Sequence, residues 1–142
     1  MFLGEYQHSL DAKGRVILPR KFRAVLAGGA VMAKALDGCL AVYPAEEFEQ
    51  VAERVRTKAL EGQTERQAAR SFFAGAVDVT PDKQGRVAVP ATLREFAGLE
   101  RDVVVVGNLH HVEIWDAERW READRVGAEA IQSADQLSTL GL

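Results

Sequence analysis

A short turn near the start of the chain carries residue types suited to binding a phosphate backbone or the edge of a base. Residues 11–15 read Asp-Ala-Lys-Gly-Arg, so a lysine and an arginine flank one glycine. A lysine ammonium acts as a point charge on phosphate, whereas an arginine guanidinium can donate two parallel hydrogen bonds to guanine O6 and N7. The pattern predicts that Lys13 and Arg15 contact DNA, and that Asp11 and Gly14 shape the loop that presents them.

The same turn recurs 71 residues later in the chain. Residues 82–86 read Asp-Lys-Gln-Gly-Arg, so Lys83 and Arg86 are the predicted contacts, and Asp82 and Gly85 the residues that shape the loop. Gln84 stands where the first turn has a lysine, which weakens the positive field and leaves Arg86 as the better supported contact. For the arginine of each turn, the simpler alternative is a purely structural pair with the turn aspartate.

Further basic residues follow each turn on a predicted short helix. Arg20 and Lys21 have no basic counterparts in the second copy, so they are predicted to add phosphate contacts in the first copy only. The alternative for these two residues is a solvated helix face. Arg23 and Arg94 occupy the same position in the two copies, which favours a role in bracing the fold.

Other reactive residue types lack the spacing that metal binding or catalysis needs. His110 and His111 are adjacent, and neighbours on a strand point to opposite faces, so no metal site is expected. No nucleophile stands at a recognisable spacing from a base, so the sequence predicts neither an enzyme nor a bound cofactor. Cys39 is the only cysteine, which excludes an internal disulfide and favours a reducing compartment.

The composition is that of an ordinary globular chain whose charge is unevenly distributed. The 142 residues are 47% hydrophobic and 27% charged, with a formal net charge of −3. Five basic residues face one acid between positions 11 and 23, whereas acids outnumber bases from 113 to 135. The local field decides whether DNA is attracted, so the acidic average does not exclude it. Because no apolar run approaches the roughly 18 residues that span a bilayer and no signal peptide is evident, we expect a cytoplasmic protein without membrane contact.

An internal repeat organises the chain. A shift of 71 positions aligns residues 11–23 with 82–94 without a gap, and residue types coincide at 11/82, 14/85, 15/86, 16/87, 19/90 and 23/94. Each copy predicts a strand, a tight turn, a second strand, a short helix that begins at a proline, and a hairpin that leads into a longer helix. In the first copy we expect strands at 5–10, 15–18, 31–36 and 39–43, and helices from 19 to the glycines at 28 and 29, at 45–60 and at 64–73. In the second we expect strands at 75–79, 86–89, 103–107 and 111–115, and helices at 90–97 and 117–131.

Neither copy is long enough to bury a stable core alone. The two copies are therefore expected to interleave into one small β-barrel, which also removes exposed sheet edges. The predicted fold class is mainly β with helices (α+β). We expect repeat 1 over 5–47, linking helices over 48–74, repeat 2 over 75–119, and a C-terminal helix and tail over 120–142, with weak order past residue 133.

The repeated element D-x-x-G-R-V-x-[LV]-P resembles the SpoVT-AbrB superfamily. The opening Met-Phe-Leu-Gly-Glu-Tyr and the two linking helices are similar to MraZ-like bacterial transcriptional regulators within it. The resemblance covers residues 1 to about 127. It implies a swapped-hairpin, AbrB-type (double-split) β-barrel with peripheral helices, and it implies ring-like oligomers. Its D-x-x-x-R element falls on Asp11 with Arg15 and on Asp82 with Arg86.

The resemblance also implies the function. We expect a sequence-specific DNA-binding transcriptional regulator, a repressor of its own division and cell-wall operon, in the cytoplasm and associated with the nucleoid. Its partners would be double-stranded promoter DNA with short direct repeats and further copies of itself in a ring. The alternative is a ring-forming protein–protein scaffold whose basic loops bind an acidic partner. The acidic net charge favours the scaffold weakly, whereas the paired basic turns favour DNA.

Overall fold

A computed structural model describes residues 1–133, 135, 138 and 140–142. Eight strands and five α-helices have described bounds, and residues 135, 138 and 140 are helical as well. The strands are β1 Glu5–Ser9, β2 Arg15–Ile17, β3 Ala30–Lys34, β4 Leu40–Pro44, β5 Val77–Val79, β6 Arg86–Ala88, β7 Asp102–Asn108 and β8 His111–Asp116. The helices are α1 Arg20–Leu26, α2 Ala45–Ala59, α3 Gln63–Gly75, α4 Ala91–Ala97 and α5 Ala117–Gln132. The expectation for the tail past residue 133 falls partly outside the described residues, at positions 134, 136, 137 and 139.

Prolines and one aspartate set the helix starts, close to the positions predicted from the sequence. Pro19, Pro44 and Pro90 directly precede α1, α2 and α4, with φ of −53°, −55° and −58°. A proline at a helix start leaves no hydrogen bond unmade, since the first N–H groups have no partner within the helix. Asp116 caps α5 by accepting a hydrogen bond from the Arg119 backbone N–H at 3.1 Å. None of the described helices is long and apolar enough to cross a bilayer.

The hairpin of the first copy forms as predicted, whereas the first strand of the second copy begins later than predicted. Asp37 and Gly38 join β3 to β4 with φ of 67° and 77°, as their Asp-Gly sequence predicts. The first strand of the second copy is shorter than expected because α3 runs through Gly75. The last turn of α3 closes when the Ala76 N–H donates to the Phe73 carbonyl at 3.2 Å, so β5 begins only after it.

The two copies interleave strand by strand, as the repeat predicts. One sheet has six strands in the order β1-β7-β8-β4-β3-β5, and a second sheet consists of β2 and β6. The first strand of each copy pairs with the third strand of the other, β1 with β7 and β5 with β3. β4 also pairs with β8, and β2 with β6. The α+β class and the interleaved repeats are therefore confirmed.

The closed barrel is not confirmed. Among the described strands, β1 and β5 end the six-stranded sheet, and the pair β2–β6, which we call the ribbon, hydrogen-bonds separately. Two further backbone bonds extend the ribbon, from Leu18 N–H to the Gly85 carbonyl and from Val89 N–H to the Gly14 carbonyl, both 2.9 Å. The next residue of each strand is a proline, whose missing N–H stops the ladder from continuing into the large sheet.

One core fills the space between the six-stranded sheet and the ribbon. Val16 and Val87, at the centre of the ribbon, are 0% and 1% exposed and belong to the same apolar cluster as the sheet residues. Phe22 of α1 packs edge-on against Phe2 and Tyr6, with ring centroids 5.2 Å and 5.4 Å apart. On the other side of the sheet, α2 and α3 cover one end and α5 covers part of the other.

An arginine of each copy packs against the turn of the other. Arg23 Nε donates to the Leu18 carbonyl at 2.9 Å, and a Cβ added to Gly85 would lie 2.0 Å from that Nε. Arg94 likewise donates to the Val89 carbonyl, next to Gly14. The two glycines are buried at φ of 74° and 82°, which a residue with a Cβ rarely adopts. These contacts support a bracing role for the paired arginines.

Residues 1–60 alone should not form a stable monomer. In that fragment β1, β2 and β4 lose their partner strands β7, β6 and β8, and with them half of the shared core. Circular dichroism and analytical ultracentrifugation, with the full chain as reference, should show no cooperative thermal transition where the fragment is monomeric. A monomeric fragment that melts cooperatively would contradict the shared core.

Gly85→Ala should lower the free energy of unfolding by about 2–4 kcal/mol, from left-handed strain and a displaced hydrogen bond. The new Cβ would push Arg23 away from the Leu18 carbonyl. Gly28→Ala is the matched control, because nothing lies within 4 Å of its Cβ position; we expect a change within about 1 kcal/mol. Chemical denaturation measures both values. Equal effects of the two substitutions would show that the contact between copies contributes nothing.

Candidate nucleic-acid interface

Each basic turn is built around one aspartate carboxylate. Asp11 Oδ1 accepts hydrogen bonds from the backbone N–H groups of Lys13 and Arg15, both at 2.9 Å. Asp82 Oδ1 makes the two equivalent bonds at the same distance. The backbone N–H of Arg86, helped by its guanidinium, lowers the pKa of Asp82 to about 2. The pKa of Asp11 is lowered for the same reason, so both turns are closed by a charged acceptor at neutral pH.

The turn arginines are held by the same carboxylates. Arg15 Nε donates to Asp11 Oδ2 at 2.7 Å, and Arg86 Nε donates to Asp82 Oδ2 at 2.8 Å. The arginine side chains keep 27% and 29% of their surface exposed. Within the described part of the chain, no hydrogen bond uses their terminal Nη atoms. The structural pairing that the sequence left as an alternative is therefore present, and it orients the guanidinium without occupying its outer edge.

Strand alternation places both arginines on the same side of the ribbon. Arg15 pairs with Ala88, and Ile17 pairs with Arg86. Residues directly opposite in an antiparallel pair share a face, so these four side chains form one surface, which we call the ribbon face. The valines between them point into the core. The two arginines are diagonal neighbours, with Cα atoms roughly 7–8 Å apart.

The predicted contact residues do not all lie at the tips of the turns. Lys13 and Lys83 occupy the exposed tips, whereas each arginine is the first residue of a strand. Sequence reasoning missed Ile17, which is 43% exposed beside Arg86, and its neighbour Ala88. The alternation of Arg15, a buried valine and Ile17 is the signal that could have identified them.

The remaining predicted cations lie on α1. Arg20 and Lys21 are both exposed, as a phosphate contact requires. The Lys21 ammonium lies 5.2 Å from the ring centroid of Tyr6 and 5.9 Å from that of Phe22, so it stacks over aromatic rings. Lys21 therefore has a packing role of its own, whereas no hydrogen bond or ion pair involves the Arg20 side chain among the described residues.

The other reactive side chains have structural partners. His111 Nε2 lies 3.2 Å from Glu113 Oε2, and Trp115 Nε1 donates to Glu113 Oε1 at 2.9 Å. Burial raises the pKa of Glu113, but the hydrogen bonds from His111, Trp115 and Asn108 outweigh it and leave that pKa below its ordinary value. Burial raises the pKa of Cys39 to about 12, so its thiol is not a nucleophile at neutral pH. No group of three or more metal-binding side chains occurs in the described part of the chain.

Comparison with known proteins gives a consistent result along the whole chain. The model of the family described as "MraZ protein, putative antitoxin-like" matches residues 1–71 and again residues 72–137, in line with the two copies. "Transcriptional regulator MraZ" of Clostridium beijerinckii is 42% identical over 142 residues, covering 100% of both chains. The protein of the same name from Lachnoclostridium phytofermentans is 48% identical over 100% of this chain and 99% of its own. That of Micrococcus luteus is 52% identical over 84% of each chain. The chain therefore belongs to the MraZ family of transcriptional regulators.

Proposed function

We propose that the chain binds double-stranded DNA by inserting the ribbon face into the major groove. The observation that carries the proposal is the projection of Arg15 and Arg86 from one face of a two-stranded ribbon. The major groove of B-DNA admits such a ribbon, and arginine paired with guanine is the commonest specific contact there. A diagonal of roughly 7–8 Å corresponds to about two base steps of ~3.4 Å, so the two arginines would read bases two steps apart.

The other residues of the surface have complementary roles. Ile17 and Ala88 lie between the arginines and fit apolar contacts such as a thymine methyl group. Lys13 and Lys83 at the tips reach outward to the phosphates on either side. Because the turn aspartates already orient the guanidinium groups, little side-chain entropy is lost on binding. Arg20 and Lys21 add phosphate contacts on the first copy's side only, where Lys21 would exchange its aromatic contact for one with DNA.

The affinity required of a repressor argues for several chains acting together. The two turns supply four cations, two of them paired with aspartate. So few phosphate contacts give weak nonspecific binding, with a dissociation constant of about 10⁻⁴ M at physiological salt. Specific regulators reach about 10⁻⁸ M, which is roughly 5 kcal/mol stronger. A homo-oligomeric ring supplies that difference, because the second and later contacts become intramolecular.

The proposal extends to biological role. As the sequence resemblance implies, the chain acts as a repressor of its own operon of division and cell-wall genes, and it binds short direct repeats in the promoter. It works in the cytoplasm, associated with the nucleoid, without an enzymatic activity or a cofactor. A gel shift with the DNA directly upstream of its own gene, at two salt concentrations, tests this assignment. Retention on heparin and co-purified nucleic acid distinguish it from a scaffold for acidic proteins.

Arg15→Ala should weaken binding to the specific sequence by about 1–3 kcal/mol, the contribution of one bidentate base contact. Fluorescence anisotropy with the promoter duplex and a scrambled duplex measures the change. Arg125→Ala on α5 is the matched control, because it removes the same charge from a side chain paired with Glu122 and Glu129. Arg15→Lys should retain nonspecific affinity but lose preference for the promoter. A folded Arg15→Ala variant with unchanged affinity and preference would refute this reading of bases.

The spacing of the DNA boxes should matter as much as their sequence. Direct repeats about one helical turn apart, ~10 bp, place successive ribbons on the same side of the duplex. Inserting about half a turn, ~5 bp, between boxes rotates one box to the far side, so affinity should fall towards that of a single box. A whole-turn insertion is the control and should cost much less. Tight binding after the half-turn insertion would show that the oligomer is not the source of affinity.

A further inference from the structure

The ribbon face comes close to two-fold symmetry. The register of β2 and β6 places a pseudo-two-fold axis at the centre of the ribbon, perpendicular to its face. This axis exchanges Arg15 with Arg86, which are the same residue type. It also exchanges Ile17 with Ala88, which are not. If both exchanges kept the residue type, the four-residue face would look the same after a half turn, and it would accept a DNA site in either direction.

Ile17 and Ala88 make the two ends of the face different. Ile17 lies opposite Arg86, and Ala88 lies opposite Arg15. Both apolar side chains are exposed, Ile17 to 43%. Because isoleucine is much longer than alanine, a full apolar side chain stands beside Arg86, whereas a single methyl group stands beside Arg15. A base edge at one end of the face therefore meets more apolar surface than a base edge at the other end.

Two exposed cations add to the same end of the ribbon. α1 follows β2 in the chain, and its Arg23 packs against Gly85 of the second turn. Arg20 and Lys21 therefore lie at the end of the ribbon where Ile17 stands. At the other end, α4 has alanine and threonine at the equivalent positions 91 and 92. Phosphates carry the same charge on both sides of a DNA site, so these cations add affinity without reading its direction.

We propose that Ile17 sets the direction in which the chain lies on its DNA site, by contacting the methyl group of a thymine next to the base that Arg86 reads. The thymine methyl group is the apolar feature of the base edges in the major groove. Both Ile17 and Ala88 fit it, but Ile17 covers more of it, so a thymine beside Arg86 gains more than one beside Arg15. The inference rests on the proposed function and deepens it, because it adds a specificity-determining residue to the two arginines.

Removal of single methyl groups from the DNA tests the contact directly. The probe is a short duplex with one box from the DNA upstream of the chain's own gene, in which thymines are replaced one at a time by deoxyuridine. For the unaltered chain, replacement at one position should weaken binding about fourfold, as the loss of one buried methyl group implies. For Ile17→Ala, the same replacement should have little further effect.

Two features of the chain make this comparison reliable. Ala88 shows that the ribbon accepts an alanine at this position, so Ile17→Ala should keep the fold. Val126→Ala on α5 is the matched control, because Val126 is an apolar side chain of similar exposure, 51%, outside the ribbon face. The control variant should respond to the deoxyuridine replacement as strongly as the unaltered chain does.

A swap variant, Ile17→Ala with Ala88→Ile, tests the direction of binding. It turns the pattern of the face by half a turn, so the chain should bind the same box with similar affinity but in the opposite direction. An iron–EDTA group attached at Gln84→Cys, at the exposed tip of the second turn, cuts the DNA near that tip and reports the direction. Cys39 is 1% exposed, so it should not take up the label.

The cleavage pattern separates the outcomes. The labelled chain with an unaltered ribbon face should cut one flank of the box, and the swap variant should cut the other flank. Ile17→Ala alone makes the face symmetric, so it should cut both flanks. The inference is overturned if no thymine shows a dependence on Ile17, if the swap variant no longer binds the box, or if it cuts the same flank as the unaltered face.

Failure of the proposed function would look different. If Arg15→Ala leaves binding to the single box unchanged, the ribbon does not read bases, and the proposed function fails together with the role of Ile17. If Arg15→Ala weakens binding but no deoxyuridine replacement depends on Ile17, the arginines read the site and only the inference fails.

Discussion

Hydrogen bonds between strands of different repeats hold this chain together, because among the described strands β1, β2, β5 and β6 find partners only in the other copy. An isolated hairpin is at best marginally stable in water, and a three-residue strand such as β2 forms too few hydrogen bonds to change that. Pairing across the repeats joins these short strands to a core that neither copy could enclose. The fold is therefore a pseudo-symmetric pair made from one chain, and the ribbon lies where the two halves meet.

The position of the arginines depends on the register of that ribbon. A shift of one residue in either strand would turn that strand's arginine towards the core and its valine towards solvent. The bonds from Leu18 to Gly85 and from Val89 to Gly14 oppose such a shift, as do the arginines that each copy packs against the turn of the other. Stability and the geometry of the candidate site thus rest on the same few contacts, so substitutions in the turns act on both.

Local signals in the sequence predicted most of the elements, and the repeat predicted that the two copies interleave, but neither predicted which strands pair. The prolines before α1 and α4 mark helix starts because each fixes its own φ and lacks an N–H. The Asp-Gly pair at Asp37 marks a turn because these two residue types tolerate a positive φ. The separation of the ribbon from the large sheet depends on which distant strands pair, and no single residue encodes that. The packing of Arg23 over Gly85 was not predictable either. The repeat showed that Arg23 and Arg94 occupy equivalent positions, but not that each arginine packs against the turn of the other copy. The alternation that puts Arg15 and Ile17 on one face was readable from the sequence.

The differences between the repeats are concentrated outside the shared core. Inside, Val16 and Val87 or Phe22 and Leu93 play equal parts, because the pseudo-two-fold core must pack from both sides. Outside, Phe48 of α2 stacks on Phe72 of α3, whereas Trp120 of α5, its counterpart 72 positions later, donates its indole N–H to Glu5. A symmetric homodimer of single repeats would carry the same outer surface on both sides, and its contacts would tend to be self-complementary. Joining the repeats in one chain removes that constraint, so each outer surface can change without a matching change in the other.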